Sequence, residues 1–331
     1  ALTFLLVGCN LPVVDTGNPL HTAIAETLAA VPLITATATE PNQELGNQTD
    51  PDEPSGQIVY VCQYSKLSGF NQICIMDADG SKQRVLTPPS NADNFFPSIS
   101  SDGQFVYFAS DRSGGYQLYR LPIESDELEQ LTRFEGMQAY APAESPDGNL
   151  VAFYARKAGE VYPQSHSIWI MNVDGSDQRQ LTFLDGGGWD PAWSPDSRQI
   201  LFASEINDQP QLFIVDIESG ETYQVTDIDG IRGRNDWSPN GFLLSSYIGV
   251  PWDRDIYTFD LQGENLTQLT DGDNNLAPSF SPDGAWITFM SYRDHPLKDL
   301  GCEIYIMHAD GSNARRLTDN DICDWQPRWG P

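Results

Sequence analysis

The sequence predicts an all-β chain folded as a six-bladed β-propeller with four-stranded antiparallel blades, and three observations predict it. A Leu-Thr or Val-Thr pair recurs six times, at Leu86-Thr87, Leu131-Thr132, Leu181-Thr182, Val225-Thr226, Leu269-Thr270 and Leu317-Thr318. Successive threonines are 45, 50, 44, 44 and 48 residues apart, a period that suits four short strands with their turns. Within each interval a tight turn introduces an apolar run, with Ser-Pro-Asp-Gly at 145–148 and 281–284 as the fullest copies.

The unit 277–318 shows the elements in order. Pro278-Ser279-Phe280 opens an innermost strand, where a first-position Pro is tolerated. Pro282 and Gly284 supply the fixed φ and the positive φ that a tight turn needs. Ala285 to Met290 is an apolar run, as expected for a strand covered on both faces. After a polar loop comes the strand from Glu303 to Met307, then an Asp310-Gly311 hairpin and an outer strand ending at Thr318. Other units depart locally: Ser100-Ser101-Asp102-Gly103 lacks the turn Pro, Asn235 replaces an inner-strand Pro, and Glu144 stands where others have Ile99, Trp193, Trp237 or Phe280. Residues 324–331, D-W-Q-P-R-W-G-P, read as the innermost strand of the first blade supplied from the far end of the sequence. That pairing removes the open sheet edges.

These strings resemble the TolB-type β-propeller repeat, P-x-W-S-P-D-G followed by an apolar strand, an I-Y strand, D-G and L-T. The resemblance covers roughly residues 54–331. It implies a six-bladed ring and a non-catalytic binding or scaffold role, with an envelope protein or peptide gripped at the channel mouth. Related propellers are attached to serine peptidases, but no G-x-S-x-G nucleophile elbow occurs here. Propeller lyases of similar fold use a His-rich metal cluster, which the four histidines do not assemble.

The first eight residues read as the remnant of a secretory signal. Leu6-Val7-Gly8-Cys9 resembles the bacterial lipobox, implying acyl chains on Cys9 and a membrane-anchored lipoprotein facing the periplasm or cell exterior. Residues 9–55, rich in Thr, Pro, Asn and acid, read as a flexible tether with a short helix over 21–31, leaving 56–331 for the propeller. With 47 acidic against 18 basic residues the formal charge is −29, which disfavours nucleic acid as a partner.

Four further cysteines allow three pairings. Cys62 and Cys74 face each other across a hairpin folded about residue 68, while Cys302 and Cys323 sit where long loops enter strands on one face. Export permits both disulfides.

Function is expected on the face that carries the long loops. Two positions ahead of each inner-strand Pro, or of Asn235, stand Phe95, Tyr140, Trp189, Gly233, Leu276 and Trp325. They are expected to ring the channel mouth and offer stacking surface to a peptide, or alternatively a glycan; the competing reading is core packing. Asp190, Arg234 and Asp324 stand beside them, and longer loops add Tyr162, His166, Trp252, Arg254, Arg293 and His295. Asp271 and Asp273 admit a structural calcium, with ordinary turn chemistry as the other reading and no further cofactor expected. Two rival functions remain: a carbohydrate-active or peptide-processing enzyme, and a self-associating subunit of a surface assembly.

Overall fold

Six sheets of four antiparallel strands make up the described part of the chain, each running from an innermost strand at the axis to a short outer one. The computed structural model describes residues 53–63, 69–160, 163–294 and 301–331, within a compact unit spanning Asp50–Pro331. The expected signal remnant, Cys9, most of the tether and its helix lie outside the described residues, as do Tyr162 and His295. Blade one consists of Gln57–Gln63, Asn71–Asp77 and Arg84–Val85, with Trp325–Gly330 as its innermost strand. Blade two is typical of the rest, with strands Asn94–Ile99, Phe105–Ser110, Gln117–Pro122 and Glu129–Gln130.

The middle strands are apolar on both faces because each sheet packs against two neighbours. Buried side chains therefore gather between blades. Tyr107, Phe153 and Phe202 join blades two to four in one cluster, while Phe289 and Ile256 join blades five and six in another.

The recurring threonine has a common task. In each blade its hydroxyl accepts the backbone N–H of the residue fourteen positions earlier, Ile73, Leu118, Ile168, Leu212, Ile256 or Ile304, at 2.9–3.2 Å. In five blades the same hydroxyl donates to a buried acceptor one residue further back, Gln72, Gln117, Gln211, Asp255 or Glu303, at 2.6–2.8 Å. The outer strand is too short to satisfy the third strand along its length. The threonine completes the ladder where it ends.

The inner strands begin earlier than Pro alone suggests. Asn94–Ile99 and Asn275–Phe280 both start three residues before their Pro, and pairing with the second strand shifts register across that position. The residue just ahead of each inner-strand Pro, or of Asn235, has positive φ: Phe96, Ala141, Asp190, Arg234, Ala277 and Gln326, between 49° and 57°. This is a β-bulge repeated around the ring. Pro, which has no N–H, follows the bulge where the ladder is already broken.

Both disulfides are formed, Cys62–Cys74 and Cys302–Cys323. The two cysteines are not directly opposite: Cys74 lies opposite Tyr60 and Cys62 opposite Gln72. The bond spans the diagonal on one sheet face, with Cα atoms 5.9 Å apart.

Ring closure follows the expected course. Gln57, Ile58 and Val59 pair with Gly330, Trp329 and Arg328. The Trp329 indole donates to the Ser55 carbonyl at 2.8 Å, while its backbone N–H donates to the Ser279 hydroxyl at 3.2 Å. Gly330 passes so close to blade two that an added Cβ would stand 2.5 Å from Cβ of Ile99. Deleting residues 324–331 exposes two sheet edges and leaves the Trp329 site empty. The deletion is expected to lower the melting temperature by more than about 10 °C or to cause aggregation, read by calorimetry and light scattering.

Candidate functional site

The repeated bulge sorts the inner-strand side chains into layers along the channel. On the loop side, six aromatic side chains and a histidine form a run of neighbouring rings. Trp325 lies 6.1 Å from Phe95, Phe95 5.9 Å from Tyr116, and Tyr116 5.1 Å from Tyr140 between centroids. Tyr140 stacks on Tyr154 at 5.2 Å, Tyr154 meets His166 at 5.2 Å, and His166 meets Trp189 at 6.3 Å. Four of the sequence-predicted rim residues are thus joined across blades one to four. Gly233 leaves room for the fourth: an added Cβ would stand 2.7 Å from the Trp189 indole nitrogen. Trp252 stands apart, 63 % exposed, with its ring edge-on to Tyr292 at 5.4 Å.

Of the three charged residues expected beside this rim, Asp190 keeps its carboxylate next to the Trp189 indole, both within 2.7 Å of a Cβ added at Gly233, while Arg234 reaches below the rim and Asp324 lies apart. Asp324 is 1 % exposed and takes a hydrogen bond from the Asn320 amide at 2.7 Å, next to the Cys302–Cys323 bond. Asp190 and Arg234 occupy bulge positions, whose left-handed backbone turns them into the channel waist. There the Arg234 guanidinium crosses to Phe96, 5.3 Å from its ring centroid, and donates to the Gln326 carbonyl at 3.3 Å. Gln326 in turn accepts the Phe96 N–H at 2.8 Å. These three side chains close the waist.

Below the waist a cavity of about 430 Å³ opens toward the face of the tight turns. Its wall includes the residue that follows each inner-strand Pro or Asn235: Ser98, Ala143, Ala192, Asp236, Ser279 and Arg328. The sequence singled out the loop-side rim. It missed the waist and this cavity, although the residues on either side of each Pro were readable as a second and third ring.

A protein-family model described as the TolB beta propeller domain matches residues 46–182 and 162–331. The chain belongs to the TolB β-propeller family. The Tol-Pal system protein TolB of Francisella tularensis subsp. tularensis (strain WY96-3418) is 23 % identical over 275 residues, or 81 % of this chain. The chain spans about 61 % of the length of that curated relative. Among solved structures, TolB from Acinetobacter baumannii superposes with a TM-score of 0.71 at 21 % identity, over 83 % of this chain and 67 % of that one. A structure described as putative TolB from Agrobacterium tumefaciens gives 0.63 at 21 %, over 84 % and 100 %. These structural likenesses establish the fold.

Blades two and three depart from this chain's own repeat together. The Glu144 carboxylate accepts the Ser101 N–H at 3.0 Å, the Ser101 hydroxyl at 2.8 Å and the Tyr107 hydroxyl. Ser101 occupies the turn position that other blades give to Pro. The two sequence departures are therefore one: without Pro the turn has a free N–H and a hydroxyl, and the next blade supplies the acceptor. Either Ser101→Pro or Glu144→Trp alone is expected to cost about 1–3 kcal/mol. The double variant is expected to lose about 1 kcal/mol less than the sum, measured by denaturant unfolding.

His166 stands within the run of rings. Neither ring nitrogen has a hydrogen-bond partner, and burial, with Arg156 nearby, pushes the imidazole down to about 4. Asp271 and Asp273 are exposed, and no group of three His, Cys, Asp or Glu side chains converges on a metal position among the described residues.

Asp324 is raised to about 7, first by burial and also by the charge of Glu303, against the hydrogen bond from Asn320. An acid whose folded value lies above its unfolded one holds its proton longer in the native state. Its contribution is present at low pH and is lost as pH rises from about 4 to about 7, on the order of 4 kcal/mol in all. Asp324→Asn is expected to flatten the fall in unfolding free energy across that window, measured by urea titration at successive pH values.

Proposed function

We propose that this chain is a non-catalytic binding module of the cell envelope, held to a membrane through acyl chains on Cys9. It grips a segment of a partner protein on its loop face. The observation that supports this most is the half-buried part of the run of rings, Trp325, Phe95, Tyr116 and Trp189, held in place by the buried Tyr140 and Tyr154. Aromatic side chains supply large contact area with few rotatable bonds, the usual make-up of residues that dominate binding energy. A rigid propeller holds them in a fixed arrangement at little entropic cost on binding. The relatives' name, Tol-Pal system protein, supports the envelope setting and a protein partner. No cofactor is required by this reading.

The test is capture of partners from native membranes by immobilised protein. Replacing Trp189 and Trp325 together by Ala is expected to reduce capture by at least about tenfold, corresponding to roughly 1.4 kcal/mol or more of binding energy. Both rings also pack between blades, so circular dichroism and melting must show that the variant folds. The exposed Trp252→Ala, which leaves the core intact, is expected to weaken the same bands. Capture unchanged in both folded variants would refute the reading.

A further inference from the structure

The cavity on the turn face is separate from the aromatic rim, because Arg234, Phe96 and Gln326 close the channel between them. It is a blind recess. Four of the six residues that follow the inner-strand Pro positions are small, Ser98, Ala143, Ala192 and Ser279, and this leaves the space open. Trp193, Trp237, Trp329 and the turn prolines give the recess an apolar wall. Each indole N–H is already committed to a backbone carbonyl, at Ala143, Gly241 and Ser55.

Charge is concentrated at the inner end. Arg234 and Arg328 both line the cavity, in a chain of net charge −29. Arg234 is 8 % exposed and its Nε has no hydrogen-bond partner. Arg328 donates to the Asn235 carbonyl at 3.0 Å and the Pro278 carbonyl at 3.4 Å. Three carboxylates line the same cavity, each already engaged: Glu144 accepts from Ser101 and Tyr107, Asp190 accepts the Arg234 N–H at 2.9 Å, and Asp236 accepts the Phe280 N–H at 2.8 Å. Asp236 also faces Arg328 at 3.7 Å. Burial and repulsion from Arg328 draw Arg234 down to about 10, so it remains a cation at neutral pH. An added anion offsets that repulsion.

We infer that this recess binds the C-terminal end of a peptide chain, its carboxylate at Arg234 and Arg328 and its last side chain against the tryptophan and proline wall. A blind end receives a terminus, not the middle of a chain, and the two guanidinium groups offer a carboxylate its partners there. The size is that of an ordinary ligand pocket.

The probes are acetyl-Ala-Ala-Phe with a free carboxylate, the same peptide amidated, and 3-phenylpropionate, titrated into the purified protein by calorimetry. Tryptophan fluorescence serves as a second readout. The free acid is expected to bind saturably and the amide at least about 10-fold more weakly. Arg234→Gln is expected to weaken acid binding by a similar factor, and Ala143→Phe, which fills the recess without touching a charge, to abolish it. Should Arg234→Gln fail to fold, the acid–amide comparison and Ala143→Phe still decide. Equal binding of acid and amide, no saturable binding of the acid, or full binding by Ala143→Phe would overturn the inference. Phenylpropionate binding as tightly as the tripeptide would overturn the chain-end reading in favour of a free acid. Replacing Trp189 and Trp325 is expected to leave acid binding unchanged, so this test and that of the loop face fail independently.

Discussion

The pairing of Trp325–Gly330 with Gln57–Gln63 is the contact on which the remaining geometry depends. A propeller blade is marginal alone, since both of its faces are apolar and need neighbours. Closing the ring gives every blade two neighbours and fixes how many inner strands surround the axis. Trp329 and Gly330 act here in opposite ways, one by filling space between blades and the other by leaving it.

Closure alone does not decide what faces the axis. That follows from the bulge ahead of each inner-strand Pro, where one residue takes a left-handed conformation that costs a non-glycine side chain about 1 kcal/mol or more. Repetition around the ring turns a local backbone cost into a layered channel: aromatic on the loop side, crossed by Arg234 at the waist, and open below. The Thr hydroxyls anchor the opposite, outer margin of each sheet. Between these two devices the middle strands need only be apolar.

Blade number, strand order and closure were legible because they rest on spacing, and the Leu-Thr period survives wide variation elsewhere. The disulfide pairing, left among three by the sequence, required the backbone, as did the hairpin register, since a loop can absorb a residue without altering the pattern. The loop-side rim was legible as four aromatic residues at one repeat position. The positions of Arg234 and Asp324 were not, because neighbouring residues on a bulged strand do not alternate simply between faces. Ser101 and Glu144 looked like separate irregularities. Their connection runs between blades, 43 residues apart in sequence, and only packing brings the carboxylate to the turn.

The crossing of Arg234 over Phe96 has a further consequence. A ring of this kind suggests a conduit, yet here an arginine lies across the axis. The molecule is better regarded as two shallow bowls set back to back on a shared floor. Each can be occupied, lost or altered by selection without emptying the other, and the floor itself, an arginine laid on an aromatic ring, belongs to both.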